Sequence, residues 1–199
     1  MITGATAQGF EHLLLDSGAL IENFKAKYDT ITTFNALIDA YLTALYTTDC
    51  LGLSRGGNHF ISEGEPRQVE FDGSRVRFKG DFVKDAAHPR IETTLLEFTP
   101  ENLKRIIPAS DITSAGAKTV LRERLRIKDA DYMKSLTWIR ELKNGSISLF
   151  TLFNPMNTAN VDITGPDKNE GEMSVVFEGF NDNFQDLEYA PYEILIFNP

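Results

Sequence analysis

Hydrophobic positions recur every three or four residues in one stretch of this chain and every second residue in most of the rest. Phe34, Leu37, Ile38, Tyr41, Leu42 and Leu45 follow the first rule. They predict a helix over about 33–47 with one apolar face, capped by Thr32 or Thr33. Earlier, Asp16-Ser17-Gly18 interrupts an apolar run and sets a first strand at 19–24. After Leu51 the alternation takes over. Gly56-Gly57 marks a bend ahead of a strand at 58–62, and Val69 and Phe71 alternate with Glu70 and Asp72 before the tight-turn dipeptide Asp72-Gly73. Val76, Phe78 and Phe82 share one parity and Arg75, Arg77, Lys79 and Asp81 the other, which describes an antiparallel strand with one buried face. Ile91, Thr93 and Leu95 alternate within a strand at 90–98, and in 118–127 Leu121, Leu125 and Ile127 oppose Arg122, Arg124 and Arg126.

The best-signalled helix spans about 100–107. Thr99 is its N-cap, Pro100 takes the first helical position, Asn102 follows in the first turn and Pro108 stops it; Leu103, Ile106 and Ile107 form its packing stripe. Strands at 133–142 and 146–153 flank Asn144-Gly145, a strong hairpin signal. Strands at 158–164 and 172–180 are joined by the polar loop 165–171, and a last strand occupies 193–197. About ten short strands and two helices predict a mainly β fold: an antiparallel β-sandwich or barrel with one short packed helix (100–107) and an extra N-terminal helix (33–47).

Length and charge narrow the function. At 199 residues one domain is expected. No apolar run is long enough to span a bilayer as a helix. The start, Met1 to Thr6, lacks the regions of a signal peptide, and the single cysteine, Cys50, fits a reducing compartment; the expectation is a protein made and kept in the cytoplasm. The net charge of −9 is unevenly spread: −4 over residues 1–49, −2 over 50–74, +5 over 75–143 and −8 over 144–199. A basic middle and an acidic end give copies the means to attract one another head to tail. A solvated surface of uneven charge fits the same numbers.

No catalytic constellation is expected. His12, His59 and His88 are far apart and lack neighbouring donors at ligand spacing, so neither a metal nor another cofactor is predicted. Cys50 has no recognisable catalytic setting, and Arg55-Gly56-Gly57 is not a phosphate-cradling motif. Asp167, Glu170 and Glu172 do not match a calcium loop. Asn144-Gly145-Ser146 is read as a turn in preference to a glycosylation site. Arg122, Arg124 and Arg126 are the main functional candidates. On an acidic protein they favour pairing with the acidic end of another subunit over stable DNA binding.

Several segments, taken in order, resemble the major tail tube proteins of long-tailed bacteriophages and phage-like particles. They begin with Leu13-Leu14-Leu15-Asp16-Ser17-Gly18-Ala19-Leu20-Ile21-Glu22-Asn23-Phe24 and Leu51-Gly52-Leu53-Ser54-Arg55-Gly56-Gly57-Asn58-His59-Phe60. Val69-Glu70-Phe71-Asp72-Gly73-Ser74-Arg75, Val76-Arg77-Phe78-Lys79-Gly80 and Leu95-Leu96-Glu97-Phe98-Thr99-Pro100-Glu101-Asn102-Leu103 follow. Ser174-Val175-Val176-Phe177-Glu178-Gly179-Phe180 and Ala190-Pro191-Tyr192-Glu193-Ile194 complete the series. Order and spacing carry the likeness, since each motif is short.

The resemblance implies a single tail-tube-like domain over 1–199, with 25–49 outside it as a helical insertion or decoration. It implies a virion structural protein, made in the host cytoplasm, whose hexameric rings stack into a hollow conduit for DNA. The implied partners are other copies, the tape-measure protein, the tail terminator, the tail-tip or baseplate initiator and a sheath where one exists. DNA passes without stable binding, and no membrane is involved. Strands around 69–83 and 136–153 are expected at the inner sheet or its hairpin loops. Glu70, Arg75, Arg77, Lys79, Arg122, Arg124 and Arg126 are thereby candidates for the lumen or the subunit interface, and Leu103, Ile106 and Ile107 for the packed helix. The alternatives are the inner tube of a contractile bacteriocin or injection particle, and a soluble β-sandwich binding module.

Overall fold

The structure, a computed structural model, describes residues 18–69, 81–84, 86–165, 167, 170–182 and 188–199. Sheet 1 has the order β1 (Ala19–Glu22), β8 (Ser135–Glu141), β9 (Ile147–Phe153), β13 (Tyr192–Phe197), all antiparallel. Sheet 2 has the order β10 (Met156–Asn157), β12 (Glu172–Glu178), β5 (His88–Leu95), β2 (Ser54–Glu63), with β11 (Asp162–Thr164) also paired to β12. Two ribbons stand apart from these sheets: β3 (Pro66–Gln68) with β4 (Phe82–Lys84), and β6 (Ser110–Ala115) with β7 (Lys118–Glu123). The chain is mainly β with antiparallel sheets and three short α-helices, as the alternation predicts.

Sheet 1 is the middle layer. Leu136, Trp138 and Leu152 on one face meet Ile91, Leu95, Met173, Val175 and Phe177 of sheet 2. On its other face Ile21, Ile139, Ile147 and Leu149 are covered by Phe24, Tyr28, Leu37 and Ala44. Those last residues belong to the segment around α1 (Lys25–Tyr28) and α2 (Phe34–Leu45). Burial on both faces explains why β8 and β9 read as nearly continuous buried runs. In β5 and β12 only alternate residues are buried, because a sheet with one wet face shows period two.

Local chemistry explains the elements that the sequence predicts best. The N-cap of α3 (Pro100–Ile106) is Thr99, whose Oγ1 accepts from Asn102 N at 3.1 Å, with Pro100 in the first turn. Ile106 is fully buried, Leu103 packs on the same core, and Ile107 is the half-buried C-cap. Asn102 does more than start the helix: its buried Nδ2 donates to Leu51 O (3.0 Å) and Glu97 O (3.1 Å). The β8–β9 reversal is wider than a two-residue Asn-Gly loop. Leu142 O accepts from Gly145 N and Leu142 N donates to Ser146 O, so Gly145 supplies the left-handed residue at φ +82°.

Other expectations change. Of the strand expected over 158–164 only β11 (Asp162–Thr164) forms, and β10, just ahead of that range at Met156–Asn157, pairs with a different stretch of β12. The cause is Asn157. Its buried amide donates to Ile106 O (2.7 Å) and accepts from Val176 N (3.0 Å), which holds the chain out of the ladder between the pieces. The strand expected over 118–127 stops at Glu123, and β6, which lacks a clear apolar alternation, pairs with it. Phe82, expected on a buried face, is exposed on β4, because the β3–β4 ribbon has no layer packed on it among the described residues. Asp72-Gly73 and the alternation at Val76 and Phe78 lie outside the described residues.

Candidate assembly interface

The two margins of sheet 1 differ. Beyond β1 the chain returns on itself: Glu22 N donates to Asp49 O (2.8 Å) and Leu51 N to Leu20 O (3.0 Å). At the other margin lies β13, with no strand beyond it among the described residues. Ile194 and Ile196 project from β13 on the side that faces sheet 2, opposite Phe150 and Ser148, yet remain 48% and 58% exposed. Beneath them is a run of rings: Trp138, Phe150, Phe60 and Tyr192, with successive centroids 5.2, 5.6 and 5.2 Å apart. An unpaired edge with exposed apolar side chains is a template for strand addition, and soluble monomers usually guard such edges with lysine or proline. β13 has neither.

Its single charge, Glu193, points the other way and anchors the strand to α1. The Tyr28 hydroxyl donates to Glu193 and lies 2.9 Å from Thr151 Oγ1, itself 3.1 Å from Thr137 Oγ1. Lys25 Nζ bridges Glu193 (3.0 Å) and Asp29 (2.8 Å) and sits over the Tyr28 and Phe153 rings. Burial first, and the bond to Glu193 second, push the Tyr28 phenol well above its ordinary range. A raised pKa means this stabilisation is complete below the unfolded value near 10 and is lost as pH rises toward the folded one. Tyr28→Phe is therefore expected to cost about 2 kcal/mol at pH 8. The gap to the unmodified protein should narrow above pH 10, read by thermal melts across pH 8 to 11.

The three arginines predicted to share a strand face part company. Arg122 is exposed on β7. Arg124 lies past the strand end and turns inward, with Nη2 2.5 Å from Asp131 Oδ1 and Nε 3.0 Å from Asp111 Oδ1. Arg126 is exposed, and its carbonyl accepts from Arg124 Nη1 at 2.9 Å. Leu125 and Ile127, expected on a packed face, stand in solvent. Asp131, whose side chain is only 6% exposed, also accepts from Lys128 N at 2.7 Å and so ties the base of the β6–β7 ribbon to the short helical turn Asp129–Asp131. Glu70, Arg75, Arg77 and Lys79 lie outside the described residues. Leu103, Ile106 and Ile107 belong to the core and its border.

The outer face of sheet 2 is polar and rich in acid. Arg90 holds Glu63 (2.6 Å) and Glu92 (2.8 Å), and Arg55 holds Glu170 (2.6 Å) and Glu172. The hydrogen bond from Arg90 keeps the Glu63 carboxyl below the usual carboxylate range. His59 and His88, isolated in the sequence, each lie beside a glutamate, Glu92 at 3.9 Å and Glu178 at 3.3 Å. No group of three or more potential ligands is placed to hold a metal ion among the described residues. No helix among them is long and apolar enough to cross a membrane.

No protein-family model and no curated protein matches the chain.

Sequence reasoning placed a strand at the C-terminal end but missed Ile194 and Ile196 as surface features. Their alternation is legible; their position at an open margin is set by sheet order. Tyr28 and Asp131 gave no signal of their own, because each depends on a partner brought in by tertiary packing.

Proposed function

We propose that this chain is a non-enzymatic structural subunit of the tail-tube type, which assembles into stacked hexameric rings around a conduit for DNA in a phage or phage-like particle. The observation that carries the reading is the apolar margin at β13, beyond which no strand lies among the described residues, joined to the ordered likeness of the sequence to tail tube proteins. A ring needs a heterologous contact, in which one surface of a copy meets a different surface of the next. β13 supplies one side of such a contact. The β1 margin is already occupied, so the receiving surface lies elsewhere, and the β3–β4 and β6–β7 ribbons extend from the sheets in the manner of arms that complete a neighbour. The acid excess on the outer face of sheet 2 suits a wall that repels phosphates.

Negative-stain electron microscopy of the purified chain over a range of concentrations tests the reading. Hollow rings or tubes with six-fold end views are expected, alone or after addition of a tail-tip initiator. A protein that stays monomeric at high concentration and ignores the initiator overturns it.

A further inference from the structure

We propose that the bend at 124–128 of one copy docks on the exposed side of α2 of a second copy. This rests on the self-association in the tube reading and deepens it by naming a contact that uses the segment outside the tail-tube likeness. The bend is held at both ends. Arg124 N donates to Ala109 O (2.7 Å), the Arg124 guanidinium reaches Asp111 and Asp131, and Lys128 N donates to Asp131 Oδ2 (2.7 Å). At its tip Leu125 is fully exposed, and Ile127 is 46% exposed. A chain pinned in this way presents its tip without having to order it first, which lowers the cost of binding. Four basic residues, Arg122, Arg124, Arg126 and Lys128, stand here against one acid, Glu123. Glu123 follows Arg122 on β7 and so points to the opposite face. Arg124 is taken up by its two aspartates, whereas Arg122 and Arg126 form no ion pair among the described residues.

α2 carries the complement. Asp39, Leu42 and the C-cap residue Tyr46 follow at steps of three and four and share one side of the helix. Leu42 is 49% exposed and Tyr46 91%. Asp39 is exposed and forms no ion pair among the described residues. No lysine or arginine occurs between Lys27 and Arg55, and the last turn of α2 has none to offset the negative end of the helix. An apolar centre with a basic border thus faces an apolar centre with an acidic one, and complementary charge fixes which surfaces meet. An arginine beside Tyr46 also gains from its ring. The acidic face of sheet 2 offers less, because Arg55 and Arg90 already hold Glu170, Glu172, Glu63 and Glu92. Leu125 and Tyr46 do not meet within one copy, since both stand in water. The two surfaces differ, as a propagating contact between copies requires.

The test uses the full chain with Cys50→Ser. A Tyr46→Cys variant and a Leu125→Cys variant are mixed in equal amounts at assembling concentration, mildly oxidised and mapped by mass spectrometry. Disulfides joining position 46 to position 125 are expected to exceed either like-with-like disulfide at least about tenfold, where random pairing gives roughly twofold. In parallel, Asp39→Lys and Arg126→Glu are each expected to weaken association severalfold with thermal melts unchanged, and their combination in one chain to restore it. Random pairing, like-with-like disulfides alone, or a combined variant that does not recover overturns the proposal; if rings or tubes still form, the tube reading stands without this contact. Random pairing together with binding to anionic vesicles that Leu125→Asp abolishes overturns it too, and assigns the bend to a lipid surface. A chain that stays monomeric at every concentration, with or without initiator, overturns both readings.

Discussion

Ile194→Lys combined with Ile196→Lys is expected to leave the monomer folded and to raise the concentration needed for assembly at least tenfold. Both side chains are already half exposed, so the monomer changes by no more than about 0.5 kcal/mol per site. In a strand-paired contact the same side chains lose their remaining water. Complete burial of an isoleucine contributes about 1.5–3 kcal/mol, of which about half remains to be gained here. Two such losses per contact exceed the 1.4 kcal/mol that corresponds to a factor of ten. Lysines also place charge at an edge, which is how sheet proteins discourage strand addition. Thermal melts check the fold and sedimentation velocity the assembly. Unchanged assembly by the double variant would remove β13 from the interface.

Asp131→Ala is expected to cost about 3 kcal/mol, at the lower end of the cost of breaking a buried ion pair. Two interactions are lost together. Arg124 keeps the Arg126 carbonyl and Asp111, a largely exposed carboxylate, and Lys128 N loses its carboxylate acceptor. Because these bonds fix the base of the β6–β7 ribbon, amide exchange should accelerate across Ser110–Glu123 more than in β8 or β9. A uniform loss of protection across the whole chain would show that Asp131 supports the sandwich and not the ribbon in particular. Arg124→Ala in the Asp131→Ala background should then add little, since both changes remove one interaction.

What was legible in the sequence was what neighbours in the chain decide. Thr99 and Pro100 define α3 by capping chemistry, the reversal near Gly145 joins β8 to β9, and Ile91, Thr93 and Leu95 alternate because one face of β5 is buried. The departures occur where distant residues intervene. Asn157 breaks an expected strand because Ile106 and Val176 satisfy its side chain, and Arg124 leaves the arginine face because Asp131 draws it inward. Six apolar positions announce α2, but pattern alone does not tell that Leu37 is sealed while Leu42 is left half open. The candidate interface was less legible still. Ile194 and Ile196 are unremarkable strand residues until the order β1-β8-β9-β13 puts them at a margin.

Hydrogen–deuterium exchange of the peptide covering Tyr192–Phe197, compared between free subunits and assembled particles, addresses the central claim most directly. Assembly through β13 predicts that its outward amides, which have no ladder partner among the described residues, become protected by at least tenfold in the particle, as the edge gains a ladder partner. If β13 exchanges equally fast in both states while protection appears elsewhere, the copies join through another surface and the account is wrong at its centre.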